Sequence, residues 1–212
     1  MRRAAHLLAC VGLSIGIVAM ADQVTVGFDK DDVGKGPHAF SFALTGQGKP
    51  GAWIVQKDDV THGNVLVQTD GDRTDYRFPL AIYNDFTAKD VDLAVQFRAI
   101  SGKGDQGAGL VWRYRDQNNY YVTRCNALED NCTIYHVVNG RRVAFQNKNV
   151  KVATNMWHTL KVVAAGDHFV VTYDGKTVLD AKDSTFADAG RVGLWTKADS
   201  VMAFDDLTIV GR

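Results

Sequence analysis

The run VDLAVQF shows the pattern that most restricts the fold of this chain, a strict alternation of apolar positions with polar or small ones. Val91, Leu93, Val95 and Phe97 fall on one face of an extended strand, with Asp, Ala and Gln between them. Successive side chains of a β-strand point to opposite faces, so this period of two predicts a strand that is buried on one side. Further strand-like runs begin at positions 52, 64, 109, 119, 132, 141, 157, 168, 176, 191 and 200.

Tight turns separate these runs. Asn139-Gly140 and Asp174-Gly175 are dipeptides that type I′ hairpin turns favour, and residues 165–167 (AGD) make a third short connection. No segment of the sequence shows a sustained helical period. About a dozen short strands joined by hairpins predict an all-β fold of two packed antiparallel sheets, a sandwich or jelly roll.

The first 21 residues are typical of a cleavable export signal. Arg2 and Arg3 give a positive start, residues 4–18 are apolar, and residues 19–21 (AMA) match a small-x-small cleavage site. The apolar stretch is shorter than the roughly 20 residues that a membrane-spanning helix needs. We therefore expect export to the periplasm or the exterior, cleavage before Asp22, and no membrane span in the mature chain.

The remaining residues, 22–212, suit one domain with a full core better than two compact domains. Within them, residues 30–51 are rich in glycine and contain two of the three prolines, which predicts an irregular arm across the sandwich. Loss of Arg2 and Arg3 from the 24 basic residues leaves 22 against 24 acidic residues. This near-neutral balance provides no basic field for nucleic acid or an anionic membrane.

Residues 113–132 combine hairpin spacing with many arginine, asparagine and tyrosine side chains. Saccharide sites on jelly rolls use aromatic rings against the apolar faces of sugars, and planar polar groups that bind hydroxyls in pairs. This hairpin and the later run LWTKADS offer both kinds of group. The predicted ligand-binding residues are Arg113, Arg115, Tyr120, Arg124, Asn126, Trp195, Lys197 and Asp199.

Alternation places Arg113 and Arg115 on the face opposite Trp112 and Tyr114. We expect Trp112 in the core, so the two arginines would point outward or line a concave sheet surface. The simpler alternative is a solvated face whose cross-strand charge pairs contribute little stability. Spacing alone leaves both interpretations open.

Two cysteines remain after signal removal, Cys125 and Cys132. If the turn of residues 126–131 returns the chain as a hairpin, the two side chains lie opposite each other on one face, within reach of a disulfide. An exported chain can undergo that oxidation. The alternative is a redox or metal pair, but the spacing is not CxxC and no histidine accompanies the pair. We predict a structural disulfide.

Three runs resemble a known family: GAGLVWRYRDQNNYYVTRCNALEDN, NMWHTLKVV and GRVGLWTKADSVMAFDDLTI. They are similar to a group of exported bacterial proteins related to the 3-keto-disaccharide hydrolase family. The resemblance extends from GFDKDDVGKGP to the C terminus, and it implies a concanavalin A-like jelly roll shared with laminarinase-type glycoside hydrolases and laminin G-like modules. Cys125 and Cys132 depart from the group pattern of small or aliphatic residues, which fits a disulfide added to an existing hairpin.

The resemblance to glycoside hydrolases raises the question of catalytic acids. Laminarinase-type enzymes use an E-x-D-x-x-E strand, and this chain contains a single glutamate, Glu129, so that mechanism is excluded. Asp116 with Glu129 is a conceivable pair. Asp205 and Asp206 would point to opposite faces of a strand and cannot converge while both stay in it.

A keto-sugar reaction would need different groups. A 3-keto group acidifies the neighbouring C–H, so the glycosidic bond can break by elimination with a base. His136 and His158 are candidates for that base, and the simpler interpretation of each is an ordinary sheet residue. No histidine pair has metal spacing, so zinc is not predicted.

Calcium is the one cofactor that the sequence suggests. Asp29 and Asp31 near the start of the mature chain, and Asp205 and Asp206 near its end, supply oxygens of the kind this ion prefers. Acidic surface residues are common, so the prediction is no cofactor, with calcium as the alternative. The predicted function is saccharide binding on a concave sheet face. The alternatives are an active 3-keto-glycoside or glycoside hydrolase, and a noncatalytic domain that binds proteins in the cell envelope.

Overall fold

The computed structural model describes residues 23–61 and 63–212, so the predicted signal segment lies outside the described residues. These residues form fifteen strands, and no helix among them could cross a membrane. The strands are β1 Gln23–Val26, β2 Phe40–Gly46, β3 Trp53–Lys57, β4 Asn64–Gln68, β5 Arg77–Ala88, β6 Val91–Ser101, β7 Gly107–Asp116, β8 Asn119–Asn126, β9 Asn131–Val138, β10 Arg141–Asn149, β11 Trp157–Ala165, β12 His168–Tyr173, β13 Lys176–Lys182, β14 Gly190–Thr196 and β15 Val201–Gly211.

The strands form two sheets, and every strand pairing is antiparallel. The eight-stranded sheet has the order β13-β12-β11-β6-β15-β4-β3, with β1 also paired to β15. The seven-stranded sheet has the order β10-β9-β8-β7-β14-β5-β2. The two-sheet antiparallel sandwich predicted from the alternation is therefore confirmed.

The hairpin dipeptides adopt the backbone that their turn type requires. Asn139 and Gly140 have φ values of 50° and 77°, and Asp174 and Gly175 have φ values of 47° and 74°. Type I′ turns need positive φ at both central positions, which asparagine, aspartate and glycine tolerate best. These local signals connect β9 to β10 and β12 to β13.

The inter-sheet core contains the alternating residues of β6. Val91, Leu93, Val95 and Phe97 are all buried, and they belong to the same apolar cluster as Trp112 in β7 of the facing sheet. Full burial of one such side chain contributes roughly 1.5–3 kcal/mol. This core therefore fixes the register of both sheets, because a slip of one residue would expose every one of these side chains.

The segment 30–51 is not irregular throughout, so that part of the prediction is wrong. β2 lies within it and pairs with β5, from Phe40 opposite Tyr83 to the end of the strand, at one edge of the seven-stranded sheet. The two prolines that suggested an irregular arm, Pro37 and Pro50, lie outside β2. They flank the edge strand and do not interrupt its hydrogen bonds.

The seven-stranded sheet carries a second apolar layer on the face turned away from the inter-sheet core. Arg142 in β10 lies 4.4 Å from the ring centre of Phe78 in β5, although four strands separate β10 from β5. In a flat sheet, five strand spacings would put them about 24 Å apart. The sheet is therefore strongly curved and this face is concave. The second layer consists of Phe78, Leu80, Ile82, Val111, Tyr114, Tyr120, Val122, Tyr135, Val137 and Trp195.

Candidate functional site

Tyr76 and Arg142 close over the middle of the concave face. The Tyr76 hydroxyl donates to the carbonyl of Gly140 (3.1 Å) and accepts the backbone N–H of Arg142 (2.7 Å). The Arg142 guanidinium lies over aromatic rings of the second layer, 4.4 Å from the ring centre of Phe78 and 5.5 Å from that of Trp195. The open polar surface is therefore divided between the two ends of the concave face.

At one end, polar side chains from five segments meet around one lysine. They come from the loop before β5, the loop before β7, strand β8, the turn between β8 and β9, and the loop after β14. The antiparallel connections bring these segments to the same end of the sheet. We call the group the Lys197 cluster; its members are Asp75, Asp105, Arg124, Asn126, Glu129 and Lys197.

The Lys197 ammonium group joins the three carboxylates of the cluster. Its Nζ lies 2.5 Å from Asp105 Oδ2, 3.6 Å from Asp75 Oδ1 and 4.0 Å from Glu129 Oε1. The side chain of Lys197 is 14% exposed and that of Asp105 4%, whereas Glu129 is 38% and Asp75 92% exposed. The cluster is therefore buried on its Asp105 side and open to solvent at Glu129 and Asp75.

Arg124 and Asn126 hold two of these carboxylates. Arg124 Nη2 donates to Glu129 Oε2 (2.6 Å) and to the hydroxyl of Tyr135 (3.0 Å). The Asn126 amide donates to Asp105 Oδ1. Charges inside a protein are tolerated when they are paired and hydrogen-bonded, and both carboxylates meet that condition.

The pKa values of the Asp105 and Glu129 carboxyl groups are shifted in opposite directions. Burial raises the pKa of Asp105 above its ordinary value, although the hydrogen bond and charge of Lys197 oppose the rise. Burial also disfavours ionised Glu129, but the charge and hydrogen bond of Arg124 and a hydrogen bond from Asn131 outweigh it, so the pKa of Glu129 is lowered. The two carboxyl groups beside Lys197 therefore differ in pKa, as the members of an acid–base pair do.

Asp199 supports the cluster without joining it. Its carboxylate accepts the backbone N–H groups of Lys103 (2.8 Å), Gly104 (3.0 Å) and Asp105 (2.9 Å). These bonds fix the loop that carries the Asp105 carboxylate. Asp199 is buried, with 5% exposure, so its position in the structure is that of a loop anchor.

Four residues of the concave face are missing from the residues predicted from sequence: Asp75 and Asp105 in the Lys197 cluster, and Tyr76 and Arg142 over the middle of the face. Asp105 had a usable signal, because it follows GKG in a glycine-rich loop just before a predicted strand, a common setting for functional groups. Tyr76 and Arg142 had none, since they approach each other only through the curvature of the sheet.

Tyr120 and Trp195 lie beneath the surface of the concave face. Both are fully buried members of the second apolar layer. The Tyr120 hydroxyl lies 2.8 Å from Thr45 Oγ1, and the Trp195 ring stacks on Phe78 with ring centres 5.3 Å apart. Neither ring is available to stack on a ligand in this arrangement, in contrast to Tyr76, which is 40% exposed.

Arg113 points into the protein, so its predicted outward orientation is wrong. The pairing of β7 with β8 shifts register between Trp112 and Asp116, and Arg113 has a φ of 48°. Such a bulge interrupts the alternation on which the prediction rested. The guanidinium is 1% exposed and donates to the carbonyl oxygens of Lys89 (2.8 Å) and Gly166 (2.5 Å).

Arg115 and Asp116 lie at the other end of the concave face, in an open cleft of about 580 Å³ that we call the hairpin cleft. Its other lining residues are Tyr114, Gln117, Asn118, Asn119, Asn139 and Arg191. Asp116 pairs with the first residue of β8, whereas Glu129 follows the last one. Strand β8 separates them by roughly 25 Å at about 3.4 Å per residue. They are too far apart for the conceived catalytic pair.

Neither histidine candidate faces the concave side. His136 alternates along β9 with Tyr135, which does face it, and His136 Nδ1 lies 3.2 Å from Asp183 Oδ2. His158 belongs to the eight-stranded sheet, and its Nδ1 lies 2.8 Å from Asp174 Oδ2. Both positions match the interpretation of ordinary sheet residues that contact a neighbouring carboxylate.

The aspartates suggested for calcium make other contacts. Asp29 accepts the backbone N–H of Asn64 (2.8 Å), and Asp206 accepts from the side chain of Gln96 (2.8 Å). Burial raises the pKa of Asp205 to about 6, and negative neighbours add to the rise. Over residues 23–61 and 63–212, no group of three or more His, Cys, Asp or Glu side chains converges as metal ligands would. Calcium binding stays the untested alternative to the predicted absence of a cofactor.

Cys125 and Cys132 form the predicted disulfide. The two residues are direct partners in the register of β8 and β9, and both are fully buried in the inter-sheet core. The bond closes the turn that carries Glu129. It therefore fixes one side of the Lys197 cluster and does not touch the hairpin cleft.

The fold is similar to that of modules from carbohydrate-active proteins. The carbohydrate-binding module CBM66 from Bacillus subtilis superposes with a TM-score of 0.64 at 23% identity, over 82% of this chain and 98% of the module. Domain 4 of AbnA, an extracellular arabinanase from Geobacillus stearothermophilus solved with arabinotriose, superposes with a TM-score of 0.59 at 13% identity, over 91% and 93% of the two chains. At these identities the similarity concerns the fold.

Sequence similarity extends these relationships. A levanase from Bacillus subtilis (strain 168) is 26% identical over 164 residues, which cover 74% of this chain and 21% of the levanase. The chain thus spans about a fifth of the length of that relative. Residues 34–210 match the family of the 3-keto-alpha-glucoside-1,2-lyase-like domain, a range that includes both ends of the concave face. The chain therefore belongs to the family of 3-keto-alpha-glucoside-1,2-lyase-like domains.

Proposed function

We propose that this protein is an exported carbohydrate-binding domain whose saccharide site is the open side of the Lys197 cluster. The observation that carries the proposal is the convergence of Lys197, Glu129 and Asp75 at one end of the concave face. Contacts with Asp105 and Arg124 hold Lys197 and Glu129 there before any ligand arrives, and Asp75 adds an exposed carboxylate beside them. Preorganised polar groups reduce the entropy that binding must overcome.

The spacing of these groups suits sugar hydroxyls. The 4.0 Å between Lys197 Nζ and Glu129 Oε1 and the 3.6 Å between Lys197 Nζ and Asp75 Oδ1 exceed the length of a hydrogen bond. Donor and acceptor capacity is therefore left for a ligand. A hydroxyl both donates and accepts, so neighbouring hydroxyls of a sugar can bind the ammonium group and a carboxylate together.

Tyr76 supplies an apolar surface next to these groups. It follows Asp75 in the chain, the residue is 40% exposed, and its hydroxyl hydrogen-bonds to the backbone of Gly140 and Arg142. The apolar face of a sugar ring packs well on such a ring, while its hydroxyls meet the charged groups beside it.

The relatives support the same class of ligand. CBM66 is a carbohydrate-binding module, domain 4 of the arabinanase was solved with arabinotriose, and a levanase shares 26% identity with this chain. The arabinanase is extracellular, which agrees with the export expected from residues 1–21. We infer that the protein is exported and meets its saccharide outside the cytoplasm.

Calorimetry on the purified, oxidised protein tests the site, with arabinotriose, levan-derived oligosaccharides and 3-keto-glucosides as ligands. Glu129→Gln keeps the shape of the side chain and removes its charge, so we expect at least about tenfold weaker binding. Tyr76→Ala should weaken binding through loss of the ring. Asp167→Asn, an exposed acid-to-amide change on the other sheet, is the matched control. Unchanged affinity in both site variants, or no saccharide binding at all, would contradict the proposal.

Elimination of a 3-keto-glycoside is the second candidate, and the family match and the proximity of Glu129 to Lys197 favour it. Ionised Glu129 could accept the acidic C–H proton, while Lys197 donates to the departing oxygen. Mass spectrometry on the same incubations decides between the two functions. Product that disappears in Glu129→Gln would support catalysis, whereas binding without product would leave a binding domain.

A further inference from the structure

The hairpin cleft is a second polar concavity, separate from the Lys197 cluster. It opens at the opposite end of the concave face, beside the turn between β7 and β8 and the start of β14. Its volume of about 580 Å³ falls in the range of small-molecule sites. None of its lining residues belongs to the proposed saccharide site.

Arg191 is the most unusual group in this cleft. Its guanidinium lies 5.3 Å from the ring centre of Tyr114, a cation–π contact that holds the group in place. Within the part of the chain that the structure describes, no carboxylate oxygen lies within 4.0 Å of its nitrogens. Its planar set of N–H donors therefore lies against an aromatic ring without a carboxylate partner among the described residues.

Arg115 is the second arginine that lines the cleft, and its guanidinium lies 5.0 Å from the ring centre of Phe186. It donates to Asp188 at 2.8 Å, and the two side chains are 41% and 82% exposed. Exposed ion pairs of this kind are weak because water competes with them. A ligand carboxylate can therefore replace Asp188 at little cost.

The single carboxylate in the lining is already occupied. Asp116 accepts the backbone N–H of Asn118 (2.7 Å) and the side-chain amide of Asn119 (3.0 Å), and these bonds shape the turn. The carboxamides of Gln117, Asn118 and Asn139 make no hydrogen bond to the rest of the described chain. Each offers one donor and one acceptor group to a ligand.

We propose that the hairpin cleft binds an acidic saccharide, with Arg191 and Arg115 holding a hexuronate carboxylate and the carboxamides holding its hydroxyls. Guanidinium groups bind carboxylates through paired, charge-assisted hydrogen bonds, and carboxamides match hydroxyls as donors and acceptors. The cleft contains both kinds of group, so it fits a ligand that carries both. A neutral saccharide would leave Arg191 without a counter-charge, and an acidic peptide would leave the carboxamides without hydroxyls.

Calorimetry with a galacturonate trisaccharide, and with the neutral galactose trisaccharide of the same linkage, tests this proposal. We expect the acidic ligand to bind at least about tenfold more tightly, and Arg191→Gln to remove that advantage. Arg191→Lys should restore part of it, because lysine keeps the charge but not the planar fork. Arg212→Gln, an exposed arginine that pairs with Asp92 on the other sheet, is the control and should change nothing.

Several results would overturn the proposal: no binding of the acidic trisaccharide, equal affinity for both trisaccharides, or unchanged affinity in Arg191→Gln. A triglutamate peptide that binds as tightly, with the same loss in Arg191→Gln, would overturn the saccharide class. The variant Glu129→Gln separates this test from that of the proposed saccharide site, because it should leave the affinity for the acidic trisaccharide unchanged. Circular dichroism of each variant confirms that the fold is retained.

Discussion

The two ends of the concave face use similar residue types in opposite ways. At the Lys197 cluster, a lysine that is 14% exposed contacts a buried carboxylate at 2.5 Å, and Arg124 pairs with Glu129. At the hairpin cleft, Arg191 rests on an aromatic ring with no carboxylate beside it in the described residues. The first end uses its charges mainly to hold its own loops together. The second leaves charge for a ligand, so the two ends should differ in stability, redox sensitivity and ligand class.

Stability should show the largest difference. Lys197→Met leaves the Asp105 carboxylate buried without its cation, and removing one partner of a buried pair costs about 3–5 kcal/mol. We expect the free energy of unfolding to fall by about 3 kcal/mol. Arg191→Met breaks no ion pair in the described residues and should cost less than about 1 kcal/mol. Urea denaturation of both variants measures this, and equal losses would remove the distinction between the two ends.

The disulfide should affect one end only. The double variant Cys125→Ala/Cys132→Ala releases the turn that carries Glu129, and the chain-entropy model for so short a loop gives about 2.5 kcal/mol of lost stability. Saccharide binding at the Lys197 cluster should weaken, because Glu129 is no longer fixed. Binding at the hairpin cleft should persist. Calorimetry with one ligand for each site, on protein that remains folded, provides the measurement; parallel losses at both sites would contradict it.

Titration should show different pKa values for two carboxyl groups of the Lys197 cluster, Asp105 and Glu129. The lowered pKa of Glu129 stabilises the fold above its ordinary value of 4.5, and this contribution disappears as pH falls through the folded-state value. The raised pKa of Asp105 acts in the other direction, since stability falls as pH rises from 3.8 through its folded-state value. Carbon-13 NMR of the carboxyl groups should show Asp105 titrating above 3.8 and Glu129 below 4.5; shifts of the opposite sign would refute the assignment.

The sequence was sufficient for the fold because its signals are local. The alternation in VDLAVQF and the Asn139-Gly140 and Asp174-Gly175 turns each act over a few residues, and together they define antiparallel hairpins. The disulfide followed from the same hairpin logic, since residues paired across a turn are spaced for it.

The site was only partly predictable, because two of its determinants are not local. A single bulge at Arg113 reversed the direction of a side chain that alternation placed outside. The curvature of the seven-stranded sheet brought Tyr76 and Arg142 over its centre and divided the predicted residues between two ends. Neither the bulge nor the curvature of the sheet can be predicted from the spacing of residues in the sequence. Arg124 and Lys197, two of the predicted ligand-binding residues, lie at the same end of the sheet.

The smallest expected effect concerns the exposed pair between Arg115 and Asp188. Asp188→Asn should change the free energy of unfolding by less than about 1 kcal/mol, because both side chains are well exposed. It should also raise the affinity for an acidic trisaccharide by about twofold, since Arg115 no longer has an internal partner that competes with the ligand. Urea denaturation and calorimetry measure the two effects, with Asp167→Asn as the control for loss of one negative charge.

A loss of affinity in Asp188→Asn, or a destabilisation well above 1 kcal/mol, would mean that Asp188 positions Arg115 as a structural partner. The arginines of the hairpin cleft would then resemble the buried charges of the Lys197 cluster, which are paired within the protein. A gain in affinity with unchanged stability would show that the two ends differ in how their charges are paired. The cluster would be a network whose buried charges are paired within the protein and whose open side binds a saccharide, and the cleft a set of groups whose charge is paired by its ligand.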